Sequence, residues 1–201
     1  MSMNVEKKLV LASSSPRRQE LIRTLQLPFE IRVSDVNEDT ATGLEPWEIV
    51  EQLSSRKASA VCEMYRSVQP REAIVIGSDT IVALDGQVLG KPKHKADAVS
   101  MLYALQGRAH QVFTGVACID LSSGTHLVDH RATSVFMKPL TDRQIERYVE
   151  TGEPMDKAGS YAIQGIGATM VERIEGDYFT VVGLPMALLS DLLERLGMSV
   201  L

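Results

Sequence analysis

One aspartate stands inside an apolar, strand-forming run, Ile74-Val75-Ile76-Gly77-Ser78-Asp79-Thr80. A carboxylate is costly to bury without a partner. Asp79 is therefore either a turn residue between two strands or a functional carboxylate that meets a metal or a cation. A second signal is Ser13-Ser14-Ser15-Pro16-Arg17-Arg18, which follows the short apolar run Leu9 to Ala12. Free amides at a helix N-terminus bind anions, and three hydroxyls with two guanidiniums add donors. Ordinary capping with solvated arginines is the plainer account of a Ser-Pro start, and the paired arginines beside the cap weigh against it.

Two further segments are loop-like. Gly86-Gln87-Val88-Leu89-Gly90-Lys91-Pro92 brushes against a phosphate-loop pattern. Its glycine spacing is short by one, and Pro92 stands where a Ser or Thr would ligate magnesium, so it is not that motif. Lys91 can still reach a phosphate from such a loop; its bland alternative is a solvated lysine. Asp156 to Gly167 carries three glycines around a short apolar core. It fits a loop that approaches a ligand closely, or else a bulged strand.

Other chemistries are excluded. The chain has no His-Glu-x-x-His, no paired Cys-x-x-Cys and no Gly-x-Ser-x-Gly. Its histidines, at 94, 110, 126 and 130, lie on polar segments without triad-like context. Cys62 and Cys118 read as two buried, reduced thiols. No apolar run approaches the length needed to cross a bilayer, and Leu9 to Ala12 is too short for a secretory segment. A cytoplasmic location follows as the default expectation, with no membrane partner.

The chain has 201 residues, 44% hydrophobic and 23% charged, and a net charge of −5. Those values fit one globular domain, 1–201, with a real core, and give no electrostatic support for coating nucleic acid. Strand-like and helix-like segments alternate, which argues α/β. Strands are expected near Leu9 to Ala12, Phe29 to Val33, Ala73 to Gly77, Thr80 to Leu84, Val112 to Ile119, Ala132 to Met137 and Ala168 to Ile174. Helices are expected from Pro16, from Pro46 to about Met64, around Ala98 to Leu105, after the Thr141/Gln144 capping box, and from Pro185 to Leu196. Asp85-Gly86 reads as a tight hairpin turn.

Taken together, these segments resemble the Maf family of nucleoside triphosphate pyrophosphatases. The matching residues are Leu11 to Arg18, Gly77-Ser78-Asp79-Thr80, Gly90-Lys91-Pro92, Asp156-Lys157-Ala158-Gly159, Tyr161 to Gly165 and Val182-Gly183-Leu184-Pro185. The ordered set spans nearly the whole chain.

The resemblance implies a mixed, elongated α/β sheet flanked by helices, with a deep cleft between two lobes, as in the inosine triphosphate pyrophosphatases. It implies hydrolysis of a nucleoside triphosphate to the monophosphate and pyrophosphate with a divalent cation, magnesium or manganese. It places the general base on Asp79 and phosphate binding on Ser13, Arg17, Arg18, Lys57 and Lys91. The metal-associated acids are Asp79 and Glu38, the latter within Asp35-Val36-Asn37-Glu38-Asp39, which offers three carboxylates. Arg17, Thr80 and Gln164 have the form of the branch that takes dTTP and UTP. A homodimer is also implied, as is a link to cell division. The competing class is a non-catalytic nucleotide-binding regulator, which would gain nothing from a carboxylate facing phosphates.

This inventory meets the chemistry. Attack of water on the α-phosphorus must overcome the repulsion of a polyanion, which calls for cations on the phosphates and a carboxylate on the water.

Overall fold

The structure is a computed structural model that describes residues 7–33, 35–65 and 72–201. The strands are β1 (Lys8–Leu11), β2 (Phe29–Ile31), β3 (Ala73–Leu84), β4 (Gln87–Leu89), β5 (Ala109–Asp120), β6 (His126–Met137) and β7 (Val171–Glu175). The helices are α1 (Pro16–Thr24), α2 (Pro46–Met64), α3 (Lys95–Leu105), α4 (Asp142–Glu150), α5 (Tyr178–Val182) and α6 (Met186–Arg195). The strands form one mixed sheet in the order β2-β1-β3-β5-β6-β7, with β4 paired to β3. β1 runs parallel to both β2 and β3, with Val10 opposite Val75, whereas β3–β4 and β6–β7 are antiparallel. The α/β class is thus as expected.

The chain divides into two compact units. The first comprises 1–79, 114–131 and 183–201; the second comprises 80–113 and 132–182.

In the first unit the sheet is covered on both faces. Leu9, Leu11, Ile74, Ile76, Val116 and Cys118 pack with Ile22 of α1 and Leu188, Leu189 and Leu192 of α6. The alternate residues Val10, Ala12, Val75 and Ala117 pack with Ala58 and Val61 of α2. Strands buried on both sides read as continuous apolar runs, which is why these showed no polar alternation. Two glycines set the distance of α2 from the sheet. A Cβ on Gly77 would lie 2.1 Å from the Ser54 carbonyl oxygen, and one on Gly115 would lie 2.4 Å from that of Val50.

In the second unit, Val82, Leu84 and Val112 pack with Ala98, Leu102 and Leu105 of α3 and with Ile145, Tyr148 and Val149 of α4. The hairpin turn is as expected, with Asp85 at φ 50° and Gly86 at φ 78°, the pairing of left-handed residues that a two-residue turn demands.

The structure departs from the sequence reading in several places. β3 is one strand of 12 residues rather than two. β2 stops at Ile31, and β7 starts at Val171 because residues 165–170 form a 3-10 turn. The segment 156–167 is a chain of 3-10 turns, not a bulged strand. Met64 is the last residue of α2 and is 48% exposed.

Candidate active site

β3 runs unbroken through Ser78 and Asp79, so the turn reading of Asp79 falls away. The Asp79 carboxylate is buried in mid-strand, and Lys57 Nζ of α2 donates to its Oδ1 at 2.5 Å. The same ammonium lies 2.7 Å from Glu38 Oε1. α2 also positions the loop that carries Glu38: Arg56, the neighbour of Lys57, donates to the carbonyls of Asn37 (3.1 Å) and Asp39 (2.6 Å). Asn37 Oδ1 accepts from the Asp39 amide at 2.7 Å and tightens that loop. One turn of α2 therefore fixes both the loop backbone and the Glu38 side chain.

The junction after β1 converges on the same strand. Arg18 Nε donates to the Gly183 carbonyl at 2.7 Å, and Ser78 Oγ donates to that oxygen at 2.9 Å. Arg18 also donates to Ser13 Oγ at 3.4 Å. Ser15 sits at the N-cap of α1 but its side chain makes no capping bond; instead its amide donates to Ser13 Oγ at 3.2 Å. Burial lowers the pKa of the Arg18 guanidinium; the Asp79 and Glu38 carboxylates oppose that shift, and Arg17 adds to it. Ser13, Arg18, Lys57, Asp79 and Glu38 thus form one charged cluster in the first unit, with the half-buried Arg17 in its field.

The residues present suit a hard divalent cation. Glu38 and Asp79 already converge on a single positive charge, the Lys57 ammonium, and offer carboxylate oxygens of the kind magnesium and manganese take.

The remaining sequence-predicted residues belong to the second unit. Thr80 follows Asp79 on β3 and is half-buried. Lys91 is exposed on the loop after β4. That loop is tied to the Asp156-Lys157-Ala158-Gly159 segment, because the Gly159 amide donates to the Gly90 carbonyl at 3.1 Å. Gly159 has φ +68°, and a Cβ there would press on Val82 at 3.0 Å. Gln164 is half-buried at the head of the 3-10 turn Gly165–Met170.

The histidines are better placed than the sequence indicated. His110 is buried on β5, 2.7 Å from the Tyr161 hydroxyl, and burial pushes its pKa down to about 4. His130 Nδ1 lies 2.8 Å from Glu51 Oε1, with Trp47 stacked on the imidazole at 5.6 Å. Glu51, Asp129 and His130 bring ligand atoms within 4.8 Å of one another, a grouping no local motif announces. Neither cysteine is in a disulfide; burial raises the Cys62 thiol to about 11 and the Cys118 thiol to about 12, so both are poor nucleophiles. Among the described residues no helix is long and apolar enough to cross a membrane.

The chain is similar to known proteins over nearly its whole length. The dTTP/UTP pyrophosphatase of Desulforamulus reducens is 50% identical over 192 residues, covering 96% of this chain and 98% of that one. That of Symbiobacterium thermophilum is 51% identical over 189 residues, 94% of each chain. A solved structure, that of the Staphylococcus aureus Ham1 protein, aligns with 82% of this chain and 80% of its own at 17% identity and a TM-score of 0.43. The family model described as Maf-like protein matches residues 8–196, from the first residue of β1 to the residue that caps α6, and the chain belongs to that family.

Proposed function

We propose that this chain is a nucleoside triphosphate pyrophosphatase that hydrolyses dTTP and UTP to the nucleoside monophosphate and pyrophosphate, a house-cleaning activity on the nucleotide pool. The observation that carries this reading is the Asp79 carboxylate, buried in mid-strand and held by Lys57. Relatives that share half of its residues over nearly their whole length bear that enzyme name.

Asp79 orients a water and takes its proton as the oxygen attacks the α-phosphorus. The bond from that phosphorus to the bridging oxygen breaks, and pyrophosphate leaves. Ser13, Arg17, Arg18, Lys57 and Lys91 bind the phosphates and offset their charge. Lys57 is held in place by both Asp79 and Glu38. Magnesium or manganese held by Glu38 and Asp79 would neutralise charge and polarise a phosphoryl oxygen. Arg17, Thr80 and Gln164 select the base. The reading includes a cytoplasmic homodimer, checked by light scattering.

The deciding experiment incubates purified protein with magnesium and a panel of dTTP, UTP, CTP and GTP while pyrophosphate is detected. Release from dTTP and UTP supports the reading. Tight binding without release would favour the nucleotide-binding regulator instead.

A further inference from the structure

The segment that carries Gln164 is anchored on both sides by one pair of side chains. Upstream, the Ala162 amide donates to the Tyr148 hydroxyl at 3.2 Å. Downstream, the amides of Ile166 and Gly167 donate to Glu153 Oε2 and Oε1 at 3.1 and 2.9 Å. The two anchors are joined, because the Tyr148 hydroxyl donates to Glu153 Oε1 at 2.9 Å. Tyr148 is buried on α4, and Glu153 opens the 3-10 turn that follows it.

The backbone is shaped to this clamp. Gly165 has φ +66°, and a Cβ there would lie 2.5 Å from Glu153 Oε2. A Cβ on Gly167 would lie 2.3 Å from the Ala162 carbonyl and 2.7 Å from the Tyr148 hydroxyl. The carboxylate is well matched to its place: burial works against its charge, yet the amides of Gly167 and Ile166 and the Tyr148 hydroxyl hold its pKa below the ordinary glutamate value.

We infer that Glu153 and Tyr148 are positioning residues for nucleobase selection: they fix the backbone of 162–167 and so fix the place from which the Gln164 side chain reaches the base. The inference rests on the proposed dTTP and UTP activity. An amide has a donor and an acceptor on one group, and a free one can flip to suit cytosine as readily as uracil. Gln164 can therefore favour uracil and thymine only from a fixed place, where both groups of its amide meet the O4 and N3–H edge at once. Glu153 spends both carboxylate oxygens on that loop and on Tyr148.

The test uses Glu153→Gln and Tyr148→Phe in the full chain. Glu153→Gln replaces one accepting oxygen by an NH2 group, so one backbone amide loses its acceptor. Tyr148→Phe removes the acceptor for Ala162 and the donor to Glu153. Steady-state pyrophosphate release gives kcat and KM for UTP, dTTP and CTP. The expected result is a KM for UTP and dTTP raised about 10-fold, a UTP over CTP preference reduced about 10-fold, and kcat within about 3-fold with an unchanged pH profile, the scale of one lost hydrogen bond to a charged acceptor. Adding Glu153→Gln to Gln164→Ala should leave the UTP over CTP ratio where Gln164→Ala put it, since both act through one amide. Hydrogen exchange should show faster exchange at the Ile166 and Gly167 amides in Glu153→Gln.

A wild-type UTP over CTP ratio in both folded variants would overturn the inference while leaving the proposed activity intact. A drop in kcat alone, with the ratio unchanged, would overturn it too. Wild-type protein inactive on UTP and dTTP would remove the proposed activity, and the inference with it. Should Glu153→Gln fail to fold, Tyr148→Phe, which keeps the carboxylate on both downstream amides, decides alone.

Discussion

Gly77 lies against Ser54 so closely that a Cβ at residue 77 would stand 2.1 Å from the Ser54 carbonyl oxygen and 2.8 Å from the Ala58 amide nitrogen. Lys57 lies between those two contacts on the same helix, and its ammonium reaches Asp79, two residues beyond Gly77, at 2.5 Å. The missing side chain on the strand is thus what lets the charged side chain on the helix reach its partner. Gly77→Ala must push α2 outward against backbone that cannot yield. We expect a loss of roughly 1–3 kcal/mol in urea denaturation, and a fall in turnover larger than that of a stability-matched substitution elsewhere in the core. Wild-type stability and activity together would show that α2 is not held by this contact.

Asp79→Asn should reduce turnover by about 100- to 10,000-fold, the usual cost of removing a general base. The amide is of similar size and Glu38 remains to hold Lys57, so the fold and nucleotide binding should survive. Rate assays on protein shown by circular dichroism to be folded check this; near-normal turnover would move the base elsewhere.

Dialysis against EDTA should abolish pyrophosphate release, and magnesium or manganese should restore it. The donor set of Glu38 and Asp79 is all carboxylate oxygen, which suits those ions better than zinc. If zinc proves the best activator, the cation sits at another group, and the Glu51, Asp129 and His130 cluster is the first place to look.

Substrate ranking should place dTTP and UTP well ahead of CTP, with purine triphosphates disfavoured by size. Gln164 can pair with the O4 and N3–H edge shared by thymine and uracil, and each unpaired polar group in a mismatch costs roughly 1–3 kcal/mol. Gln164→Glu, which can only accept, should alter that ranking in kcat/KM measurements. Faster hydrolysis of GTP than of UTP by the wild type would contradict the assignment.

Acid should destabilise the protein through His110. Its pKa in the folded chain lies near 4 because of burial, below the ordinary value of about 6.5. Between those values the unfolded chain takes up a proton that the folded chain refuses, so stability rises with pH there and is lost as pH falls from about 6.5 to about 4. The full effect is roughly 3 kcal/mol. His110→Gln should flatten the stability curve in that window, as read by urea midpoints at pH 4.5 and 7. An unchanged slope would mean that His110 takes up its proton in the folded state.

Local patterns in the sequence carried much of this. The Pro46 opening of α2, the capping box of α4, the Asp85-Gly86 turn and the apolar runs of β1 and β3 are all local properties that the structure keeps, although two expected runs join into the single strand β3. Asp79 stood out because one carboxylate in an apolar strand needs a partner, although the sequence could not say that the partner was Lys57, 22 residues earlier. Arg56, which pins the Glu38 loop, left no trace, because an arginine bonded to two carbonyls looks like any other on a helix surface. The His110–Tyr161 and His130–Glu51 pairs join residues 51 and 79 positions apart. The 3-10 turns of 153–170 escaped because their glycines and the bonds to the Glu153 carboxylate follow no helix or strand period.

The two compact units have a consequence for how this protein can be made and altered. The chain crosses between them at four peptide bonds, 79–80, 113–114, 131–132 and 182–183. Neither unit is therefore a continuous stretch of gene, and no single truncation, from either end, yields one of them whole. Fragment libraries should return soluble protein only near full length, and a lesion that stops translation even at residue 182 removes Leu184 and the α6 residues from the first unit's core.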